Sequence, residues 1–140
     1  MPKRLLVIDD QPGATQAIGL IARQLGLDMR GLNNSANALD VFLEYRPDIL
    51  ILDMIMPEKD GIDVLHEILM TGIPVQIVLV SGFGASFLRL AENVARFHGY
   101  DHVSVLQKPF RREDISGLLM RLTVQSTART YQLEPELAAD

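Results

Sequence analysis

The chain has 140 residues, of which 48% are hydrophobic and 6% aromatic, and its formal net charge at pH 7 is −5. This length is most simply one domain with an aliphatic core, the acidic balance gives no reason to expect nucleic-acid binding, and the absence of cysteine excludes disulfides and thiolate metal sites. The first apolar run is too short for a signal peptide, and no stretch approaches the roughly 20 apolar residues of a membrane span, so we expect a cytoplasmic protein.

The first half of the chain alternates short apolar runs with segments of helical periodicity. Residues 4–8 predict a strand that ends at a pair of aspartates, and 27–32, with poorer alternation, predict a weaker edge strand. Residues 48–52 predict a buried strand that also ends at an aspartate. The helices that follow the first two strands are predicted to bury faces formed by Ile18, Ile21, Ala22 and Leu25, and by Ala36, Leu39 and Leu43.

The second half continues the same alternation. Residues 75–80 and 102–107 predict two further strands, and 123–140 lose the apolar period, which predicts a C-terminal tail or linker after a single domain at 1–122. The three remaining helices are predicted to bury Ile62, Leu65 and Leu69; Phe87, Leu90, Ala91 and Val94; and Ile115, Leu118, Leu119 and Leu122. Five strand–helix pairs predict an α/β fold, a flavodoxin-like (αβ)5 three-layer sandwich with a parallel sheet of order 2-1-3-4-5.

Three acids occupy the ends of two strands that such an order makes neighbours. Asp9 and Asp10 follow the first strand, and Asp53 follows the third. Ligands of open parallel sheets bind outside the carboxyl ends of the strands, so these carboxylates are expected in one crevice. Left alone they would repel and raise one another's pKa. An all-oxygen, partly hydrated site suits Mg²⁺, and the sequence therefore predicts a magnesium site.

Two further polar groups belong to the same edge of the predicted sheet. Ser81 follows the fourth strand and Lys108 follows the fifth. A hydroxyl and a fixed cation beside a metal suit a phosphoryl group, because phosphoryl transfer depends on positioning and charge stabilisation. Asp53 is the best candidate to accept phosphorus, since carboxylates form acyl phosphates. Two simpler interpretations stay open: Asp9 and Asp10 as a solvated strand end, and Asp53 as the cap of the following turn.

Four motifs, VIDD, DILILDMIMPEKDG, VLVSG and LQKPF, occur in this order on the strand ends. Together they resemble the receiver domain of two-component response regulators over residues 4 to about 122. The resemblance implies that a histidine kinase or phosphotransfer protein phosphorylates Asp53 in a Mg²⁺-dependent reaction. It also implies a downstream effector domain or protein that responds to the phosphorylation.

The resemblance implies a role for each metal-site residue. Asp10 and Asp53 match direct Mg²⁺ ligands, and Asp9 matches an acid that holds the metal through water. Ile55 matches the position whose backbone carbonyl completes the protein ligands.

Further roles in phosphoryl binding and in shaping the site are implied in the same way. Ser81 matches the hydroxyl that follows the phosphoryl group, and Lys108 matches the cation that pairs with one of its oxygens. Backbone N–H groups of Met54 and Gly82 would bind the phosphoryl group. The structural positions are Pro57 and Gly61, which shape the loop after Asp53, and Pro109, which is expected to follow a cis peptide bond.

Two departures from the family pattern concern how the signal leaves the site. Val105 stands at a switch position that is usually aromatic, and its single stiff χ1 torsion cannot swing between two poses. The stretch from Ser81 to Lys108 is also longer than expected, which resembles, more weakly, receivers joined to EAL cyclic-di-GMP phosphodiesterase domains. We expect the response in the backbone after Ser81 and in the face formed by the fourth helix, fifth strand and fifth helix, which could also form a homodimer.

Three functional classes compete at this point. A phosphorylation-controlled switch uses all the polar groups named above. A phosphatase of the aspartyl-phosphate type needs a second acid two residues after the nucleophile, where this chain has Ile55. A degenerate receiver that only binds partners would not need the intact acid set. We therefore expect a switch that is not an enzyme beyond its own phosphorylation and dephosphorylation.

Overall fold

The structure is a computed structural model that describes residues 2–82 and 84–124. In this part of the chain, strands and helices alternate strictly. The elements are β1 (Arg4–Ile8), α1 (Pro12–Gln24), β2 (Asp28–Leu32), α2 (Ala38–Tyr45), β3 (Ile49–Asp53), α3 (Gly61–Thr71), β4 (Gln76–Ser81), α4 (Ala85–Phe97), β5 (Val103–Gln107) and α5 (Arg112–Val124).

All the strand pairings are parallel, and the sheet has the order β2-β1-β3-β4-β5. This confirms the predicted flavodoxin-like α/β fold. The order reverses direction between β1 and β3, where Ile8 pairs with Leu52. On the other side of β3, Asp53 pairs with Val80, and Ser81 of β4 pairs with Gln107 of β5. The polar residues at the ends of four strands are thereby brought to one edge of the sheet.

The sheet separates two apolar clusters, because neighbouring residues of a strand point to opposite faces. Leu6 and Ile8 of β1 pack with residues from α2, α3 and α4, whereas Leu5 and Val7 pack with residues from α1 and α5. Burial of each such side chain contributes about 1.5–3 kcal/mol. The central strands are apolar on both faces, which explains why they read as continuous hydrophobic runs.

Helix α2 buries a face one position away from the predicted one. It begins at Ala38 and buries Ala38 and Phe42, which are four residues apart. Ala36 precedes the helix and is exposed, and Leu43 is exposed as well. Of the predicted residues, Leu39 is partly buried and packs against the core cluster, whereas the centre of the buried face is formed by Ala38 and Phe42, which have the same spacing as Leu39 and Leu43.

Helix α4 shows a similar offset. Leu88, Ala91 and Ala95 are buried, whereas Leu90, predicted to lie in the core, is 62% exposed. The buried residues lie three and four positions apart and form one stripe towards the sheet. The predicted residues Phe87 and Val94 pack at the margin of the same cluster.

Helix α5 continues through Val124, two residues beyond the predicted end of the domain. Its buried residues are those predicted: Ile115, Leu118, Leu119 and Leu122. The rest of the predicted tail lies outside the described residues. No helix within residues 2–82 and 84–124 has the length and apolar character needed to cross a membrane.

Candidate functional site

The predicted acids converge where β1 and β3 end. One carboxylate oxygen from each of Asp9, Asp10 and Asp53 lies within 4.8 Å of the others. Asp9 and Asp53 are only 2% and 4% exposed, while Asp10 is half-buried. The burial of Asp9 excludes the interpretation of a freely solvated strand end.

The two buried aspartates, Asp9 and Asp53, accept hydrogen bonds in the same pattern. In each, Oδ1 accepts the backbone N–H of the residue two positions later, Gln11 for Asp9 at 2.9 Å and Ile55 for Asp53 at 3.1 Å. In each, Oδ2 accepts from Nζ of Lys108, at 3.2 Å and 3.3 Å respectively. Asp53 therefore does cap the following turn, as the simpler interpretation held, but only with one of its two oxygens.

Lys108 enters the crevice from the loop that follows β5. Its backbone N–H donates to the carbonyl of Ser81 at 2.8 Å, which extends the β4–β5 pairing by one residue. The Lys108–Pro109 peptide bond, for which the resemblance implies a cis geometry, is cis. Besides the two aspartates, Nζ lies 3.4 Å from Oε1 of Gln11. The lysine thus bridges β1, β3 and β5 at one point.

Burial and charge act against each other on both partners of this cluster. Burial raises the pKa of the Asp53 carboxyl, the N–H of Ile55 opposes that rise, the charge of Asp9 adds to it, and Lys108 opposes it. Burial lowers the pKa of Lys108, but the charges and hydrogen bonds of Asp9 and Asp53 together outweigh burial and leave that pKa raised. An additional cation near Asp53 would therefore stabilise the charged form of its carboxyl group.

The loop after Asp53 folds back tightly on the end of β3. Gly61 donates its N–H to the carbonyl of Met54 at 3.0 Å, and a Cβ at Gly61 would lie 2.3 Å from the Cα of Met54. Only glycine fits so close to another backbone. Pro57 lies exposed in the same loop. The predicted role of Gly61 in shaping this loop therefore has a steric basis.

The structure contradicts one predicted donor. The N–H of Met54, expected to bind a phosphoryl group, donates to the carbonyl of Val80 at 2.8 Å, because the β3–β4 pairing continues one residue past Asp53. The next N–H, that of Ile55, faces the Asp53 carboxylate instead. Ile55 is therefore the residue of this loop whose backbone donor lies at the site.

Some of the predicted residues line a crevice of about 330 Å³, whereas Ser81 and Val105 are not part of its lining. The walls include Gly82 from the end of β4 and Ile55 from the loop after β3. Ser81 is buried at the end of β4, and Val105 lies on β5 with 39% exposure. The crevice is lined by Asp10, Gln11, Asp53, Ile55, Gly82 and Lys108.

Two residues of the site region were not predicted. Gln11 lines the crevice and contacts Lys108, and its place directly after the aspartate pair could have indicated this. Ser35 binds the backbone of Lys59 in the loop after β3, although these residues lie 24 positions apart in the chain. No local pattern marks that contact.

The residues present fit a magnesium ion. Three carboxylates within reach of one another provide the hard oxygen ligands that Mg²⁺ prefers. Burial, together with the charge of Asp9, raises the pKa of Asp53, and a divalent cation bound there would offset both effects. Asp10, Asp53 and, through water, Asp9 would hold the ion, with the carbonyl of Ile55 as a further ligand.

Comparison with protein families agrees with this geometry. The model of the response regulator receiver domain matches residues 5–119, which is most of the chain. The chain belongs to this family. The receiver is 28% identical over 127 residues to response regulator MprA of Mycolicibacterium vanbaalenii, covering 91% of the chain and 53% of that relative. It is 27% identical over 124 residues to regulatory protein AtoC of Escherichia coli, covering 88% of the chain and 26% of that relative.

Solved structures show the same fold at low sequence identity. The CheY-like receiver domain protein of Methanospirillum hungatei aligns with a TM-score of 0.75 at 16% identity, over 97% of this chain and 99% of that one. Chemotaxis protein CheY4 of Vibrio cholerae aligns with a TM-score of 0.73 at 20% identity, over 87% of this chain and 99% of that one. The receiver spans about half or less of the length of the curated relatives named above, so their whole-protein activities are not carried over to it.

Proposed function

We propose that the receiver is a signalling switch that accepts a phosphoryl group on Asp53 from a histidine kinase or a phosphotransfer protein. The observation that carries this proposal is the position of Lys108. Its Nζ contacts Oδ2 of Asp9 at 3.2 Å and Oδ2 of Asp53 at 3.3 Å. A cation held between two buried carboxylates is placed to pair with a phosphoryl oxygen that arrives at one of them.

In the proposed step, a carboxylate oxygen of Asp53 attacks the phosphorus of a phosphohistidine. A P–O bond forms, the P–N bond breaks, and the leaving imidazole keeps the electron pair and takes a proton from solvent. The nucleophile is the ionised carboxylate of Asp53, and the charge of Lys108 favours this form. Lys108 and the N–H of Ile55 already hold the carboxylate in place before the partner arrives.

When bound, Mg²⁺ would neutralise charge on the carboxylates and on the phosphoryl oxygens. Asp10 and Asp53 are its proposed direct ligands and Asp9 its ligand through water. The hydroxyl of Ser81 and the N–H of Gly82 are the proposed donors to the phosphoryl group from the β4 side of the crevice.

The direct test of this function uses intact-mass spectrometry. With Mg²⁺ and acetyl phosphate, the receiver should gain the mass of one phosphoryl group, and without Mg²⁺ it should gain none. The label should be lost in hydroxylamine, which cleaves acyl phosphates. An unchanged mass under conditions that label a control receiver would reject the proposal in favour of a degenerate receiver that only binds partners.

Replacing Asp10 with alanine should remove most of the Mg²⁺ affinity. Loss even of a group that only orients a metal ligand costs about 10–100-fold in affinity, and Asp10 is proposed as a ligand itself. Calorimetric titration of the metal-free protein measures the effect. Asp101→Ala is the matched control, because Asp101 is an exposed acid in the loop between α4 and β5. Equal affinities of the Asp10 variant and the wild type would remove Asp10 from the ligand set.

The output is proposed to be a change of the α4-β5-α5 face, which would bind a downstream effector or a second receiver. Val105 has no ring to rotate, so we expect the backbone of residues 82–88 and the start of α4 to take up the change. Beryllofluoride, a phosphoryl mimic, should alter amide hydrogen exchange across residues 82–95. A change confined to 53–61 would contradict this route.

Several finer expectations remain proposals. We propose that the receiver turns over no external substrate, since Ile55 stands where an aspartyl-phosphate phosphatase has its second acid. We propose a cytoplasmic location and no nucleic-acid binding by this domain. The link to an EAL domain, suggested by the weaker resemblance, stays a prediction. It would be tested by measuring release of linear di-GMP from cyclic-di-GMP by the protein that the whole reading frame encodes.

A further inference from the structure

Ser35 forms a two-bond clasp with the loop that follows the phosphorylation site. Its hydroxyl accepts the N–H of Lys59 at 2.8 Å and donates to the carbonyl of the same residue at 2.8 Å. Ser35 is 0% exposed, and its own carbonyl accepts the N–H of Ala38 at 3.2 Å at the start of α2. The clasp therefore joins the start of α2 to the loop after β3.

The clasp is one of several contacts that hold this loop in place. The N–H of Met54 is held by Val80 at the beginning of the loop, and the N–H of Gly61 returns to the carbonyl of Met54 at its end. Ile55, the proposed carbonyl ligand of the metal, lies between the first of these contacts and Lys59. Lys59 also forms an ion pair with Glu67 of α3, so both its backbone and its side chain are engaged.

We infer that Ser35 is a positioning residue for the metal site. By holding the backbone of Lys59, its hydroxyl fixes the course of the loop and hence the place of Ile55, whose N–H contacts Asp53 and whose carbonyl is the proposed metal ligand. Within the described residues, Ser35 forms its hydrogen bonds with Lys59 and Ala38 and is not part of the crevice lining. The inference rests on the proposed function, because it concerns the same Mg²⁺ site and specifies what holds one of its ligands in place.

Thr71 provides a matched comparison elsewhere in the fold. Its hydroxyl also makes two backbone hydrogen bonds, donating to the carbonyl of Ile68 at 2.6 Å and accepting the N–H of Ile73 at 3.1 Å. These bonds lie at the C-terminal end of α3, the opposite end of that helix from the loop after Asp53. Ser35→Ala and Thr71→Ala each remove a hydroxyl that satisfies two backbone groups, and both should lower the thermal midpoint.

The experiment measures the Mg²⁺ dependence of labelling by acetyl phosphate in both variants and in the wild type. In Ser35→Ala the Mg²⁺ midpoint should rise about tenfold, as for loss of a group that orients a metal ligand. Its rate at saturating Mg²⁺ should return to the wild-type value, because Asp53 and Lys108 are intact. In Thr71→Ala the midpoint should stay unchanged.

A second measurement does not depend on phosphorylation or on bound Mg²⁺. In metal-free protein, amide exchange of residues 55–59 should accelerate in Ser35→Ala and not in Thr71→Ala. If Ser35→Ala does not fold, Ser35→Cys keeps nearly the same volume with a weaker hydrogen-bonding group and should show the same shift in smaller measure. A Mg²⁺ midpoint equal to that of the wild type in the folded Ser35 variant overturns the inference. Failure of the wild type itself to bind Mg²⁺ or accept phosphoryl groups would instead reject the proposed function.

Discussion

Replacing Asp53 with asparagine should abolish the mass gain with acetyl phosphate and Mg²⁺ completely. The amide oxygen is too weak a nucleophile to attack phosphorus, and no other carboxylate in the cluster holds the same place at the end of β3. The fold should survive, because the amide oxygen can still accept the N–H of Ile55 and Lys108 keeps its bond to Asp9, although the amide NH2 cannot accept the second bond from Lys108. Intact mass measures the labelling and circular dichroism measures the fold.

Asp48→Asn is the matched control for this prediction. Asp48 directly precedes the same strand, β3, and its carboxylate accepts the backbone N–H of Arg4 at 2.8 Å, a bond that asparagine can keep. This variant should label as the wild type does. Full labelling of the Asp53 variant would show that another side chain accepts the phosphoryl group, and the site assignment would then be wrong.

Replacing Gly61 with alanine should destabilise the receiver by about 3 kcal/mol or more, at the upper end of what overpacking costs. The added Cβ would lie 2.3 Å from the Cα of Met54 and 2.6 Å from the carbonyl oxygen of Asp53. Both atoms belong to the backbone at Asp53, the proposed phosphoryl acceptor, or at the next residue. Relief of the clash must therefore move the loop that follows Asp53. Urea unfolding measures the loss, and weaker Mg²⁺ binding should accompany it.

Gly117→Ala tests whether the effect is specific to the contact. A Cβ at Gly117 meets no atom within 4 Å, and the residue lies inside α5, where alanine is favoured over glycine by about 1 kcal/mol. This variant should therefore be slightly more stable than the wild type. A Gly61 variant as stable as the wild type would mean that the loop is not held against the end of β3.

The strand ends were the predictable part of the site. Asp53 and Ser81 end apolar runs, and Lys108 follows another, so strand boundaries could be read without any tertiary information. A parallel sheet then places those residues at one edge. The same reasoning identified Asp9 and Asp10 from the first strand. Sheet topology, rather than any single motif, made the convergence predictable.

Other features depend on tertiary contacts that no local pattern records. Phe42 and Leu43 both have an apolar residue four positions earlier, and only the start of α2 and its orientation on the sheet decide which of them is buried. The resemblance implied a phosphoryl-binding role for the N–H of Met54, and the extension of the β3–β4 pairing past Asp53, which engages this N–H, could not be read from the sequence. The clasp between Ser35 and Lys59 joins two loops of irregular structure.

The two-sided apolar sheet has a consequence for how the chain finds its strand alignment. In a sheet with one solvent-exposed face, shifting a strand by one residue against its neighbour turns all its core side chains towards solvent. In β1 and β3 such a slip would only exchange one apolar cluster for the other. It would, however, move Asp53 by about 3.3 Å along its strand and break its contact with Lys108. The groups proposed for chemistry thus also distinguish the correct pairing of β1 and β3 from a shifted one, because only the correct pairing keeps Asp53 in contact with Lys108.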